Sequence, residues 1–113
     1  MKKRDILLFC DAGMSTSIMV KKMEATCEKH KMPFAISAHP IAKAVEVVEE
    51  KKPVLVLLGP QVKFLLSKME KQLAKYDVPV DVIDAGIYGA MDSEEVMKQV
   101  VRILKQNKAS KEK

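Results

Sequence analysis

The sequence contains few of the residues that build metal centres, disulfide scaffolds and membrane spans. Its 113 residues include two cysteines, two histidines and no tryptophan. Two cysteines cannot form a disulfide-rich scaffold, and the chain has no Cys-x-x-Cys or His-x-x-x-His spacing to indicate zinc. No apolar run approaches the roughly 20 residues that cross a bilayer, and the one after Arg4 is too short for a signal peptide. We therefore expect a cytoplasmic protein that is not inserted in the membrane and holds no metal and no cofactor.

Charge and aromatic content make nucleic acid an unfavourable partner. The net charge is only +5, and the two tyrosines and three phenylalanines are spread along the chain. Nucleic-acid binding favours a basic face with interleaved aromatic residues, which this pattern does not supply. With 48% apolar and 31% charged residues the chain can bury one core. The composition predicts a single domain over residues 1–106 and a polar, disordered tail over residues 107–113.

Hydrophobic periodicity divides the chain into four strand–helix units. Short apolar or alternating runs at residues 6–9, 34–38, 54–58 and 78–83 are typical of strands. Apolar stripes at helical spacing follow each of them, and the last begins after Asp92 or Ser93, either of which can cap a helix. Residues 84–91, with two glycines, are predicted to form a loop.

The βα alternation predicts an α/β protein with three αβα layers around a parallel sheet. Ligands of such sheets bind beyond the carboxyl ends of the strands, near the point where the strand order reverses. Four predicted loops lie at that edge, at residues 10–16, 39–40, 59–61 and 84–91.

The first of these loops carries the strongest chemical signal. Cys10 ends a buried strand, Gly13 lets the backbone turn, and hydroxyl residues stand where a helix begins. The first N–H groups of a helix have no intrahelical acceptor, so this layout favours a bound anion and favours thiolate over thiol. Two interpretations of Cys10 remain at this point: a small buried core residue, or a nucleophile for phosphorus. Cys27 falls on an apolar helix stripe and is predicted to be structural.

The loop also separates two kinds of phosphate chemistry. Low-molecular-weight cysteine phosphatases share the layout but carry an arginine six residues after the cysteine, where this chain has Thr16. Without that arginine, transition-state charge is less well stabilised. The loop is therefore predicted to accept and donate phosphoryl groups without hastening hydrolysis, and a low-molecular-weight phosphatase is the alternative hypothesis.

With these residues in place, the chain resembles a known family over residues 4–104. Three segments carry the resemblance to the enzyme IIB component of the lactose/cellobiose group of the sugar phosphotransferase system: Cys-Asp-Ala-Gly-Met-Ser-Thr-Ser from Cys10, Gly-Pro-Gln from Gly59, and Tyr-Gly from Tyr88. The resemblance implies a four-stranded parallel sheet in the order 2-1-3-4. It also implies that Cys10 takes phosphate from a histidine of the IIA component and passes it to a sugar of the cellobiose, lactose or chitobiose class. That sugar is bound by the membrane component IIC, so IIA and IIC are the expected partners of a free monomer that docks transiently at the inner face of the membrane.

The resemblance implies a set of site residues around Cys10. The phosphate-binding loop comprises Asp11, Ala12, Gly13, Met14, Ser15, Thr16 and Ser17. Asp11 departs from the small or neutral residue that is frequent there, and its carboxylate is mildly repulsive to phosphate. Gly59, Pro60, Gln61 and Tyr88 are further candidates for lining the site, although Gln61 could equally face solvent and Tyr88 could be a packing aromatic. Met14 at the loop tip is a candidate docking residue.

Overall fold

The computed structural model describes residues 4–10 and 14–111. Four strands and five α-helices alternate along this part of the chain. The strands are β1 (Arg4–Cys10), β2 (Phe34–Pro40), β3 (Leu55–Leu58) and β4 (Val80–Val82). The helices are α1 (Met14–Lys29), α2 (Ala44–Lys51), α3 (Leu66–Leu73), α4 (Ala85–Gly89) and α5 (Ser93–Lys111). Short 3₁₀ segments precede α2 and α3 and follow α3, at Ile41–Lys43, Pro60–Leu65 and Ala74–Tyr76.

The four strands form one parallel sheet in the order β2-β1-β3-β4, which confirms the predicted topology. In the register, β1 lies between its two neighbours, so that Phe9 is opposite His39 on one side and Leu58 on the other. The chain leaves β1 toward β2 and later crosses to β3 on the other side of β1. The strand order therefore reverses between β1 and β3, which places the switch point where these two strands end.

Alternation along the strands divides the core into two layers. On β1, Ile6 and Leu8 pack in one cluster, with residues of α1, α4 and α5, whereas Leu7 and Phe9 pack in the other, with residues of α2 and α3. All four side chains are fully buried. Burial of a large aliphatic side chain contributes roughly 1.5–3 kcal/mol, so β1 is held firmly from both faces.

One predicted loop is a helix. Residues 85–89 form α4, capped by Asp84, whose Oδ1 accepts hydrogen bonds from the backbone N–H groups of Gly86 (2.9 Å) and Ile87 (3.2 Å). The prediction of a loop over residues 84–91 was therefore wrong. The cap supplies one acceptor oxygen for two N–H groups of the first turn, and the burial of Tyr88 holds the turn against the core. The last strand is also shorter than predicted.

Helix α5 forms the carboxyl-terminal part of the described chain. It continues to Lys111, and the domain boundary at residue 106 with a disordered tail after it stays a prediction. The segment contains no proline or glycine, and lysine, glutamine and alanine favour helix once a helix precedes them. Within the described residues, no helix is both long enough and apolar enough to span a membrane.

Helices α1 and α5 are fastened to each other at one end of the molecule. The Thr26 and Ser93 hydroxyls are 2.8 Å apart, and the His30 Nε2 lies 2.9 Å from the Glu94 Oε1. The hydrogen bond to His30 is the main reason why the pKa of the Glu94 carboxyl lies below its usual value. These contacts fix the carboxyl end of α1, whose opposite end begins four residues after Cys10 in the chain.

Candidate functional site

Cys10 is the last residue of the central strand, where β1 reaches the carboxyl edge of the sheet. It is 5% exposed and its thiol forms no disulfide. The adjacent strand end follows the same edge, because the Gly59 N–H donates to the Phe9 carbonyl at 2.9 Å. The structure thus brings Cys10 and Gly59 together at the switch point, as the sequence predicted.

Gln61 also belongs to this group. If a Cβ were present on Gly59, it would lie 2.6 Å from the Gln61 Oε1 and 3.4 Å from the Cys10 Cβ. The Gln61 amide therefore folds back over Gly59, and its oxygen is no farther from the Cys10 Cβ than these two distances combined. Gln61 nevertheless remains an exposed residue, and Pro60 before it is half-buried.

The predicted phosphate-binding loop is only partly within the described residues. Asp11, Ala12 and Gly13 lie outside them, as do the side chains of Met14, Ser15 and Thr16. The backbone of Met14 begins α1, and Ser17 is exposed on the first turn of that helix. A helix N-terminus therefore follows Cys10 closely in the chain, which is the arrangement that stabilises an anion. The individual roles of these residues stay predictions.

Tyr88 is a core residue of α4. It is 4% exposed and belongs to the same hydrophobic cluster as Leu8, Met19 and Ile83. Side chains alternate along β1, so this cluster lies on the face of the sheet toward which Cys10 points. Tyr88 is thus on the Cys10 side of the sheet, and its contribution to the site stays a prediction.

His39 lies at the same edge but on the opposite face. Its ring centroid is 6.1 Å from that of Phe9, and its Nε2 lies 3.0 Å from the Ser37 Oγ. Burial is the main cause that lowers the pKa of His39, and the positive charge of Lys51 lowers it further. Near neutral pH the ring is therefore uncharged, and alternation along the strand directs it away from Cys10.

Two exposed apolar residues near this edge were missed by sequence reasoning. Phe64 is 76% exposed in the 3₁₀ segment that begins where β3 ends, and Ile18 is 50% exposed one turn into α1. A signal for Phe64 was present, because it falls off the stripe of Val62, Leu65 and Met69 that packs in the core. Exposed aromatic residues beside a site are typical of docking surfaces.

A large cavity in the described residues is at the other end of the sheet. It has a volume of about 890 Å³ and is lined by Arg4, Phe34, Val54, Tyr76 and other residues where the strands begin. Neither this cavity nor the groove between α1 and α5 includes Cys10 or Gly59. Among residues 4–10 and 14–111 no three His, Cys, Asp or Glu side chains cluster as metal ligands would.

Fold and site together define a class: a three-layer α/β protein with a thiol at the switch point of its sheet and a helix N-terminus next in the chain. Comparison with known proteins gives the family. Residues 5–99 match the family described as "PTS system, Lactose/Cellobiose specific IIB subunit". The chain belongs to this family of the sugar phosphotransferase system, whose proteins act in sugar transport as phosphotransferase components.

Curated relatives match over nearly their whole length. The oligo-beta-mannoside-specific EIIB component of Bacillus subtilis is 38% identical over 104 residues, which cover 92% of this chain and 97% of that protein. The cellobiose-specific EIIB component of Lactococcus lactis is 35% identical over 100 residues, covering 86% and 93%.

Solved structures agree with the fold. The cellobiose-specific IIB component of Borrelia burgdorferi has a TM-score of 0.74 and 30% identity, covering 93% of this chain and 94% of that one. The lactose-specific IIB domain of Streptococcus pneumoniae has a TM-score of 0.79 over 89% and 97%. At 11% identity this second likeness supports the fold alone.

Proposed function

We propose that Cys10 accepts a phosphoryl group from a histidine of a IIA protein and donates it to a sugar held by a membrane IIC protein. The observation that carries this proposal is the position of Cys10, which ends the central strand at the switch point and precedes the start of α1. Family membership supplies the phosphotransferase context.

The chemistry is two successive displacements at phosphorus. The Cys10 thiolate attacks the phosphorus, and the phosphorus–nitrogen bond of the donor histidine breaks with its electron pair remaining on nitrogen. A sugar hydroxyl then attacks, loses its proton, and the sulfur–phosphorus bond breaks to regenerate the thiolate. The N-terminus of α1, which follows Cys10 in the chain, favours the phosphocysteine, because the first N–H groups and the dipole of a helix attract negative charge.

The position of Cys10 at a strand end suits macromolecular partners. A carrier receives its phosphoryl group from one protein and delivers it into another, so it needs a strand end that can be approached and not a cavity that encloses a small substrate. The exposed Phe64 and Ile18 flank this edge and are the residues we assign to docking. The sugar is of the cellobiose, lactose or chitobiose class, and recognition of the sugar belongs mainly to IIC.

Intact mass tests the proposal directly. The protein is incubated with phosphoenolpyruvate, the general transfer proteins and a IIA protein, and wild type should gain one phosphoryl group. Cys10→Ser should fold and gain none, because a serine hydroxyl without an adjacent base is a much weaker nucleophile than a cysteine sulfur.

Cys27→Ser is the matched control. Cys27 is also buried, with its Sγ 3.9 Å from the Met97 Sδ. This variant should be phosphorylated normally while losing about 1–3 kcal/mol of stability to a polar atom in the core. Phosphorylation of Cys10→Ser would contradict the proposal. Rapid turnover of an aryl phosphate, with release of free phosphate within seconds, would favour a phosphatase instead.

A further inference from the structure

The backbone conformation at residue 59 does not require a glycine. Its φ of −65° and ψ of 154° are extended values that any residue adopts, so no left-handed geometry requires glycine here. Its N–H donates to the Phe9 carbonyl, a bond that alanine would make equally well. What a glycine provides at this position is therefore space.

That space is occupied by the Gln61 side chain. The Cβ that alanine would add at residue 59 falls 2.6 Å from the Gln61 Oε1, which is closer than real contacts of a Cβ. The same Cβ falls 3.4 Å from the Cys10 Cβ. The missing side chain thus leaves room for the exposed Gln61 amide next to Gly59, the residue that adjoins Cys10.

The neutrality of this amide matters because the site has no arginine. The chain has two arginines, and the structure places Arg4 at the beginning of β1 and Arg102 in the groove beside His30 and Met32, both remote from the strand end. A glutamine amide donates hydrogen bonds through Nε2 without carrying positive charge. It can hold a phosphoryl oxygen while adding less stabilisation to a hydrolytic transition state than a guanidinium would.

We propose that Gln61 is a phosphoryl-binding residue of this protein, whose Nε2 donates to an oxygen of the phosphoryl group on Cys10. Gly59 allows this contact because its missing side chain leaves space for the Gln61 amide. The inference rests on the proposed function of Cys10. Gln61 gains and loses no proton in the reaction. It orients the phosphoryl group while the bond to sulfur forms and breaks.

Two substitutions of Gln61 separate contact with the phosphoryl group from a merely structural role. Gln61→Glu keeps the shape and places a negative charge beside the phosphate, whereas Gln61→Leu removes the donor without adding charge. Contact predicts that Gln61→Glu is the more damaging, with phosphoryl transfer to sugar lowered about a hundredfold against about tenfold for Gln61→Leu. A role in packing predicts the opposite order, because glutamate matches glutamine in shape.

Gly59→Ala supplies an independent route to the same loss. Its methyl group displaces the Gln61 amide, so we expect a loss of transfer similar to that of Gln61→Ala. The double variant Gly59→Ala, Gln61→Ala should be no worse than either single one, since both remove one interaction. If the losses of phosphoryl transfer multiply in the double variant, Gly59 does not act by making space for the Gln61 amide, and that part of the inference is overturned.

The decisive measurement is phosphorus NMR of the phosphocysteine together with transfer kinetics. Gln61→Glu should shift the phosphorus resonance and raise the pH at which the phosphoryl group titrates, and thermal unfolding should stay at the wild-type temperature. An unchanged resonance with only the KM for the IIA donor raised would mean that Gln61 contacts the partner, and would overturn the inference. If wild type carries phosphate on Cys10, and Gln61→Glu has the same phosphorus resonance and the same transfer kinetics as wild type, the inference fails while the proposed function stands. Wild type without phosphocysteine would overturn the proposed function and the inference together.

Discussion

The two ends of the sheet use glycine and arginine in opposite ways. At the carboxyl end, Gly59 has an ordinary φ and leaves space beside Cys10. At the amino end, left-handed positions that would suit glycine are held by Lys31 (φ 55°), Lys52 (φ 50°) and Asp77 (φ 53°) as helices turn into strands. None of the glycines in the described residues has a positive φ. The fourth such non-glycine position of the described chain, Met91 (φ 53°), follows α4. Gly59 is therefore placed for the room it leaves and not for a left-handed backbone.

The same contrast holds for charge and for cavities. The large cavity, with Arg4 in its wall, is at the amino end, whereas the carboxyl end has a thiol, an amide and exposed apolar side chains. Cavity size alone would have pointed to the wrong end. A phosphoryl carrier needs a group that holds phosphate and a surface that partners can approach, and our proposal assigns both to the carboxyl end.

Moving an arginine to the carboxyl end would break the contrast most strongly. Thr16→Arg restores the arginine spacing of the phosphatases and should shorten the lifetime of the phosphoprotein tenfold or more, because a bidentate guanidinium stabilises the charge of a hydrolytic transition state. Wild type should keep its phosphate for minutes or longer at neutral pH. The loss of the phosphoryl group over time, followed by intact mass, gives the lifetime.

Thr16→Lys is the matched control for that experiment. Lysine adds the same charge without the planar fork, so it should shorten the lifetime less than arginine does. Equal lifetimes in wild type and Thr16→Arg would mean that the missing arginine does not explain why phosphate is retained.

The next largest effect is expected for the exposed aromatic at the carboxyl end. Phe64→Ala should raise the KM for the IIA donor about tenfold, since a buried aromatic anchor contributes roughly 1–2 kcal/mol to an interface. Its stability should change by less than about 0.5 kcal/mol because the side chain is exposed in the free protein. Tyr76→Phe at the amino end is the control, and it should leave transfer unchanged. A similar rise in the KM for the IIA donor in both variants would mean that docking is not confined to the carboxyl end of the sheet.

These expectations show how far sequence reasoning reached. The alternation of apolar runs predicted the βα units, and Cys10 and Gly59 do meet at the switch point. Helix α4 was missed because two glycines in five residues are poor helix formers, and its stability comes from the Asp84 cap and the burial of Tyr88. The fold of the Gln61 side chain over Gly59 could not be predicted either, since it depends on a distance between atoms and not on a pattern of residues.

At the amino end, relief of strain should raise stability without touching function. Lys52 has φ 50° and ψ 60° and is exposed, and its N–H donates to the Val48 carbonyl as α2 ends. Lys52→Gly should stabilise the fold by about 1 kcal/mol, because glycine adopts this conformation without the steric cost that a Cβ brings. Chemical denaturation measures the gain, and Lys51→Gly inside the helix should instead destabilise. A change in the rate of phosphoryl transfer in Lys52→Gly would contradict the view that the amino end of the sheet affects stability and not function.

The smallest expected effect is a pH dependence from His39. Its pKa is lowered in the folded protein, mainly by burial, so between the ordinary value of 6.5 and the lower folded value the unfolded chain binds the extra proton. Stability should therefore be complete above pH 6.5 and decline as the pH falls through that window. His39→Gln should make thermal unfolding less sensitive to pH between 7.5 and 5.5. An unchanged slope in this variant would assign the acid sensitivity to other groups.

The burial of β1 has a consequence for hydrogen exchange. Its amides lie between two neighbouring strands and two cores, so those of Leu7 and Phe9 should exchange only when the whole molecule unfolds. Gln61 instead lies in a 3₁₀ segment that is interrupted at Val62 (φ −118°, ψ 21°), where we expect opening without global unfolding. The proposed nucleophile, Cys10, thus ends a strand that we expect to exchange most slowly, and the segment of Gln61 near it is the part that we expect to open. A partner must come to the sulfur atom, and any adjustment during transfer falls to the segment that carries Gln61.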